Sequence, residues 1–215
     1  MPDFRRWIKD PFPGLSHFFG ALLAVAGLVV LLVVAAGRPW QIVSFSIYGT
    51  TLILLYLASG LAHCVYCSPR VEKWLDRFDY IGIYLLIAGT YTPICLITLR
   101  GPWGWSILGV EWGMALIGIT LVLVGPDYSR PLRTGIYVAM GWMALIAAIP
   151  TLHALPTTAL LWLFGGGAAY SIGAIIFLTN RPHLWPGWFN AHDLWHCLVL
   201  TGSACHFIVM VFFVA

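Results

Sequence analysis

Seven long apolar runs constrain this chain more than any other feature of it. They are Leu15 to Ala36, Ile42 to His63, Tyr80 to Leu99, Trp105 to Val124, Leu132 to Leu152, Ala159 to Leu178 and Leu194 to Ala215. Each is about 20 residues long, the length a helix rising 1.5 Å per residue needs to cross about 30 Å of hydrocarbon. Composition excludes the alternative of a water-soluble domain. Of 215 residues 60% are hydrophobic and only 9% charged, and the mean hydropathy is +0.89, whereas soluble domains carry about 25% charged residues. The expected fold is therefore all-α: a polytopic membrane protein, a bundle of seven transmembrane helices forming a single domain over residues 1–215. The first run is too long for the apolar core of a secretory signal, about 7 to 15 residues, and is expected to be the first helix. Pro150 and the Gly165-Gly166-Gly167 run interrupt the fifth and sixth segments.

Basic residues supply an independent check on the count, since Lys and Arg collect on the cytoplasmic side. With seven spans, Arg5, Arg6, Lys9, Arg70, Lys73, Arg77, Arg130, Arg133 and Arg181 share one side, and only Arg38 and Arg100 fall on the other. This asymmetry predicts a cytoplasmic N-terminus and an outside C-terminus. The net charge of +3 calls for no nucleic-acid partner, because these cations sit where anionic inner-leaflet lipids are. The longest polar connection is expected at 64–79, and no repeat or low-complexity tract is evident. Five cysteines, Cys64, Cys67, Cys95, Cys197 and Cys205, make no disulfide framework. A single C-x-x-C at Cys64 and Cys67 is a weak metal or redox signal, so the cysteines are assigned to packing.

Histidines and acids at the predicted membrane ends carry more information. His63 closes the second helix, with Ser59 one turn earlier on the same side. Asp79 is expected to open the third helix at the same face, and His192 and His196 the seventh. Their four-residue spacing stacks the two rings about 6 Å apart. Three imidazoles with an open water position form a familiar catalytic zinc arrangement. His17, His153 and His183 have no close partners in sequence and read as interfacial side chains. His206 lies ten residues beyond His196, about 15 Å deeper, too far to share an ion.

The combination of Ser59-Gly-Leu-Ala-His63, Arg77-Phe-Asp79-Tyr-Ile-Gly-Ile-Tyr84, Ala88-Gly-Thr-Tyr-Thr-Pro93 and His192-Asp-Leu-Trp-His196 resembles the haemolysin III family and its relatives, the progestin and adiponectin receptors. The likeness extends from about Ser16-His17 to His206-Phe207. It implies a seven-helix bundle with an intramembrane zinc (Zn2+) near the cytoplasmic side, held by His63, His192 and His196. Asp79 would hold the zinc-bound water, and Ser59 would support the site. The short tails resemble the bacterial branch, which points to a bacterial inner (plasma) membrane and does not carry a hormone-receptor function with it. Activity in this group acts on lipid amides such as ceramide, so the implied reading is a zinc-dependent hydrolase whose partners are membrane lipids and an acyl-lipid substrate.

Zinc lowers the pKa of bound water to about 7 and polarises an amide carbonyl, while Asp79 would move the proton and Ser59 would orient His63 or donate to an oxyanion. Asp193 is not assigned as the base, being one methylene short of the Glu in an H-E-x-x-H helix. Glu111 inside the fourth helix reads equally as a functional acid or as a side chain reaching the outer interface. Three other functions stay open: membrane homeostasis or sensing with a structural zinc, a haemolysin-like pore, and a haem cytochrome. The depth mismatch of His206 argues against the last.

Overall fold

A computed structural model describes residues 7–124, 129–185 and 188–215 of the chain. Among them are seven helices long and apolar enough to cross a membrane: α1 Pro11–Val34, α2 Pro39–Cys64, α3 Pro69–Thr98, α4 Pro102–Val124, α5 Arg130–Ala154, α6 Thr157–Thr179 and α7 Ala191–Val214. The chain is thus an all-helical integral membrane protein, as the apolar runs predict. Five of these helices carry Pro in the first turn, where its missing N–H would have had no intrahelical partner. Tight turns separate α1 from α2 and α3 from α4. They use Gly37 at φ +78° and Gly101 at φ +125°, backbone angles that disfavour any side chain.

One boundary differs substantially from the sequence reading. The stretch 64–79 is not a long loop, because only 65–68 lie outside helix and α3 starts at Pro69. Ser68 and Pro69 provide a helix start that the polar composition masks, and the charged residues from Arg70 to Arg77 ride on a helix that continues past its apolar segment. Asp79 consequently lies ten residues inside α3 rather than at its opening.

Pro residues also explain the irregular turns. In α3 a π-helical turn, Ile94–Thr98, follows Pro93, and in α5 a 3-10 segment, Trp142–Ala147, precedes Pro150. Loss of a backbone donor to Pro is a known cause of such local rewinding. The Gly165 to Gly167 run, by contrast, stays inside α6. There Gly166 lets α6 approach α7 closely, since an added Cβ would stand 2.6 Å from the His206 ring nitrogen and 3.1 Å from the Gly202 carbonyl oxygen.

The main core lies between α1, α2, α3 and α7 and includes Leu31, Phe45, Leu52, Leu55, Tyr56, Val199 and Val209. A smaller cluster around Tyr84, Ala88, Ala115 and Met140 joins α3 to α4 and α5. Lipid tails are as apolar as leucine, so helices in a bilayer associate through close packing and interhelical hydrogen bonds. Small residues at the crossings meet that need: at Gly82 an added Cβ would come within 2.9 Å of the Leu55 Cα. Leu22, Ile149, Leu161 and Phe212 are exposed on the outside of the bundle, the pattern of a lipid-facing surface.

Candidate metal centre

His63 stands in the last turn of α2 and His192 and His196 in the first two turns of α7, and the fold brings the three rings together. Ring centroids are 5.0 Å apart for His63 and His192, 4.9 Å for His63 and His196, and 4.7 Å for His192 and His196. The two α7 histidines point their Nε2 atoms at each other across 3.1 Å. One ligand atom from each of the three residues lies within 4.8 Å of the others. A tetrahedral zinc with Zn–N bonds of about 2.0–2.1 Å separates its nitrogen ligands by about 3.4 Å, so one edge is nearly formed and small ring rotations would close the others. Three imidazoles suit Zn, Cu, Fe or Ni, and their donor set and spacing fit a bound metal ion.

Local structure fixes where these rings stand. Asn190 and Asp193 form a capping box: the Asn190 side chain accepts from the backbone N–H groups of His192 and Asp193, and the Asp193 carboxylate accepts from the Asn190 backbone N–H at 2.7 Å. This pairing sets the start of α7 at Ala191, so His192 and His196 fall one turn apart on one face. It also gives Asp193 a structural task, in keeping with its exclusion as a base.

Ser59 is buried at 1% exposure one turn before His63. Ser59 and His63 both lie within electrostatic reach of the Asp79 carboxylate. Ser59, His63 and Asp79 are therefore neighbours. Nearby, the Arg133 guanidinium stacks 3.5 Å from the centre of the Tyr80 ring, and Arg130 stacks on Phe177 at 4.8 Å. Both contacts join the beginning of α5 to this same end of the bundle.

Two residues at the site were not singled out by sequence reasoning. Asp10, the residue before α1, places its Oδ2 3.1 Å from His63 Nδ1, and its backbone N–H donates to the His63 carbonyl at 2.7 Å. His17, read above as an interfacial side chain, is 2% exposed, and its Nε2 lies 3.0 Å from His196 Nδ1. A helical signal was present, for seven residues are close to two turns and put Asp10 and His17 on one side of the first helix. Nothing in sequence, however, told which side of that almost uniformly apolar helix faced the site.

The first helix approaches closely enough because Gly14 lies between these two residues, where an added Cβ would overlap Cys64 Sγ. The preceding residue Lys9 forms an ion pair with Glu72. Burial pulls the Lys9 pKa down, but the hydrogen bond and charge of Glu72, with Asp76 and Asp10, outweigh it and the net shift is upward.

Other candidates lie apart. His153 and His183 are exposed, and His206 turns toward α6, its Nε2 lying 3.2 Å from the Leu163 carbonyl oxygen. Glu111 is 0% exposed with neither carboxylate oxygen hydrogen-bonded. That burial removes the reading in which it extends to the outer interface.

Fold and site together define an integral membrane protein of seven helices with a three-histidine cluster that could hold a metal ion at one end of the bundle. The family described as Haemolysin-III related matches residues 5–207. Among curated proteins the chain is 39% identical to Hemolysin-3 of Bacillus cereus, covering 100% of this chain and 96% of that one. It is 37% identical to the Hemolysin-3 homolog of Bacillus subtilis, over 93% of this chain and 91% of the relative. It is also 24% identical to the adiponectin receptor protein of Drosophila melanogaster, over 96% of this chain and 52% of that protein. The chain belongs to the haemolysin III family, and relatives of the adiponectin receptor type are found alongside it.

Proposed function

We propose that the protein is a zinc-dependent hydrolase of an acyl lipid, most simply a lipid amide, in a bacterial plasma membrane with its histidine end toward the cytoplasm. The observation that supports this reading is the cluster of three imidazoles at one end of an apolar bundle, with the Asp79 carboxylate within electrostatic reach of His63. His63, His192 and His196 hold the metal. A zinc ion in such a setting supplies Lewis acidity, making water nucleophilic near neutral pH and polarising a carbonyl.

The remaining work falls to the side chains. Asp79 accepts the proton of the attacking water and delivers it to the leaving amine, so that the departing group is neutral. Ser59, by donating to Asp79, holds that carboxylate in one orientation. A substrate with long acyl chains enters sideways from the bilayer, keeping its tails in hydrocarbon while its amide reaches the polar end of α2 and α7.

The test is hydrolysis by purified protein in nanodiscs on a panel of acyl amides and esters. Asp79→Asn should retain zinc and slow turnover by about 10² to 10⁴, the usual cost of losing a general base. Equal turnover by Asp79→Asn and wild type, or zinc-loaded wild type that cleaves nothing on the panel, would sink the hydrolase reading. Because the three ligands come from the ends of only two helices, the metal would then be taken as a brace between α2 and α7.

A further inference from the structure

We infer that Asp10 and His17, both contributed by the first helix and its cap, are positioning residues: Asp10 fixes which nitrogen His63 presents to the metal, and His17 pairs the nitrogen that a ligating His196 leaves over. This inference rests on the reading of His63, His192 and His196 as ligands. An imidazole ligates through an unprotonated nitrogen, and the hydrogen bond made by its other nitrogen decides which one that is.

For His63 the assignment follows from donor and acceptor chemistry. The Asp10 carboxylate only accepts, so the His63 Nδ1 at 3.1 Å from it carries the proton and Nε2 is left with its lone pair. The backbone that carries this carboxylate is anchored, although the side chain itself is half-exposed. The Asp10 N–H is bonded to the His63 carbonyl, and the Lys9 N–H to the Cys64 carbonyl at 3.4 Å, so a short backbone pairing ties the cap to the end of α2.

His196 is governed from the other side. Its Nδ1 lies 3.0 Å from His17 Nε2 and its Nε2 lies 3.1 Å from His192 Nε2. Two neutral tautomers satisfy the first contact. With the proton on His17 Nε2, His196 must carry its own on Nε2 and donates it to His192. With the proton on His196 Nδ1, His17 accepts and His196 Nε2 is free for a metal.

His17 therefore acts as a switchable partner whose Nε2 can donate to the metal-free ring or accept from the ligating one. His17 Nδ1 is buried without a hydrogen-bond partner, so no contact on its far side locks it into either form. A ring of 2% exposure at this point also keeps His196 Nδ1 from being left unpaired in an apolar interior, which is costly for a buried polar group.

The experiment measures zinc affinity of the full chain in detergent by competition with a chelator, using zinc itself as the probe. Asp10→Ala and His17→Ala should each weaken binding about 10- to 100-fold, the usual effect of removing an outer partner of a ligating histidine. Asp10→Asn and His17→Gln keep an acceptor oxygen within reach and should recover much of the loss. Cobalt-loaded protein gives a second readout, since the visible bands of tetrahedral Co(II) should change in both Ala variants and return in the conservative ones. Melting temperatures of Asp10→Ala and Asp10→Asn with excess chelator should match wild type, which separates ligand positioning from a purely structural role; for His17, whose ring is buried, recovery of zinc affinity in His17→Gln makes that separation. If both Ala variants bind zinc like wild type while His63→Ala does not, the positioning inference is overturned and the ligand set stands. If His63→Ala also binds like wild type, the ligand reading itself is wrong.

Discussion

The two sides of this bundle are built differently. In α2 and α3 the apolar spans are 50% and 56% buried, whereas in α5 and α6 the figures are 17% and 22%. The three histidines, Ser59 and Asp79 belong to α2, α3 and α7, and Asp10 and His17 reach them from the first helix and its cap. Ligands must be held within fractions of an ångström, and that demands side chains locked by neighbours on several sides. The helices α4 to α6 face outward, and α5 tolerates a 3-10 segment in mid-span. The candidate site stands among the helices of the larger core, while α5 and α6 carry the least buried spans.

That contrast can be broken by stability measurements. Phe45 in α2 is 0% exposed and Ile149 in α5 is 70% exposed. Phe45→Ala should lower unfolding free energy by about 3–5 kcal/mol, the cost of an aromatic cavity. Ile149→Ala should stay within about 0.5 kcal/mol, as outward-facing substitutions usually do. Reversible unfolding in mixed micelles would measure both, and similar losses at the two positions would erase the distinction between the sides.

A smaller effect sharpens the picture inside the packed side. Ser59→Ala removes the hydroxyl proposed to orient Asp79 and leaves every proposed metal ligand in place, so zinc content should be unchanged. Turnover should fall about 10-fold, at the lower end of what outer contacts contribute and well short of the Asp79→Asn loss. Steady-state assays on the same substrate would compare the two. A Ser59→Ala protein as impaired as Asp79→Asn would mean that the hydroxyl touches the reaction itself.

Much of the fold was legible in the sequence because hydrophobic length in a bilayer is a direct physical requirement. All seven spans follow from it, and so does the proximity of His63 to the His192 and His196 pair, once alternation of the spans is combined with helical spacing. The start of α3 was not legible. Arg70, Glu72, Lys73, Asp76 and Arg77 lower the hydropathy of a stretch that is nonetheless helical, and hydropathy reports lipid contact rather than helix.

His17 and Asp10 were missed for another reason. Their partners are 179 and 53 positions away in sequence, and only the packing of the first helix against α2 and α7 brings them together. Glu111 marks a third case. Its place inside an apolar helix was plain, but that it is fully buried with neither oxygen hydrogen-bonded depends on the rotation of α4, which hydropathy does not encode.

The central claim is that His63, His192 and His196 form one metal site, and elemental analysis of purified protein tests it most directly. Wild type and His153→Ala, altered at an exposed histidine outside the cluster, should each contain about one zinc per chain, the content expected of a single three-histidine site. His192→Ala should contain almost none, because two remaining imidazoles make a poor site. Full zinc occupancy in His192→Ala protein, or wild type that holds no metal after purification without chelator, would contradict the account.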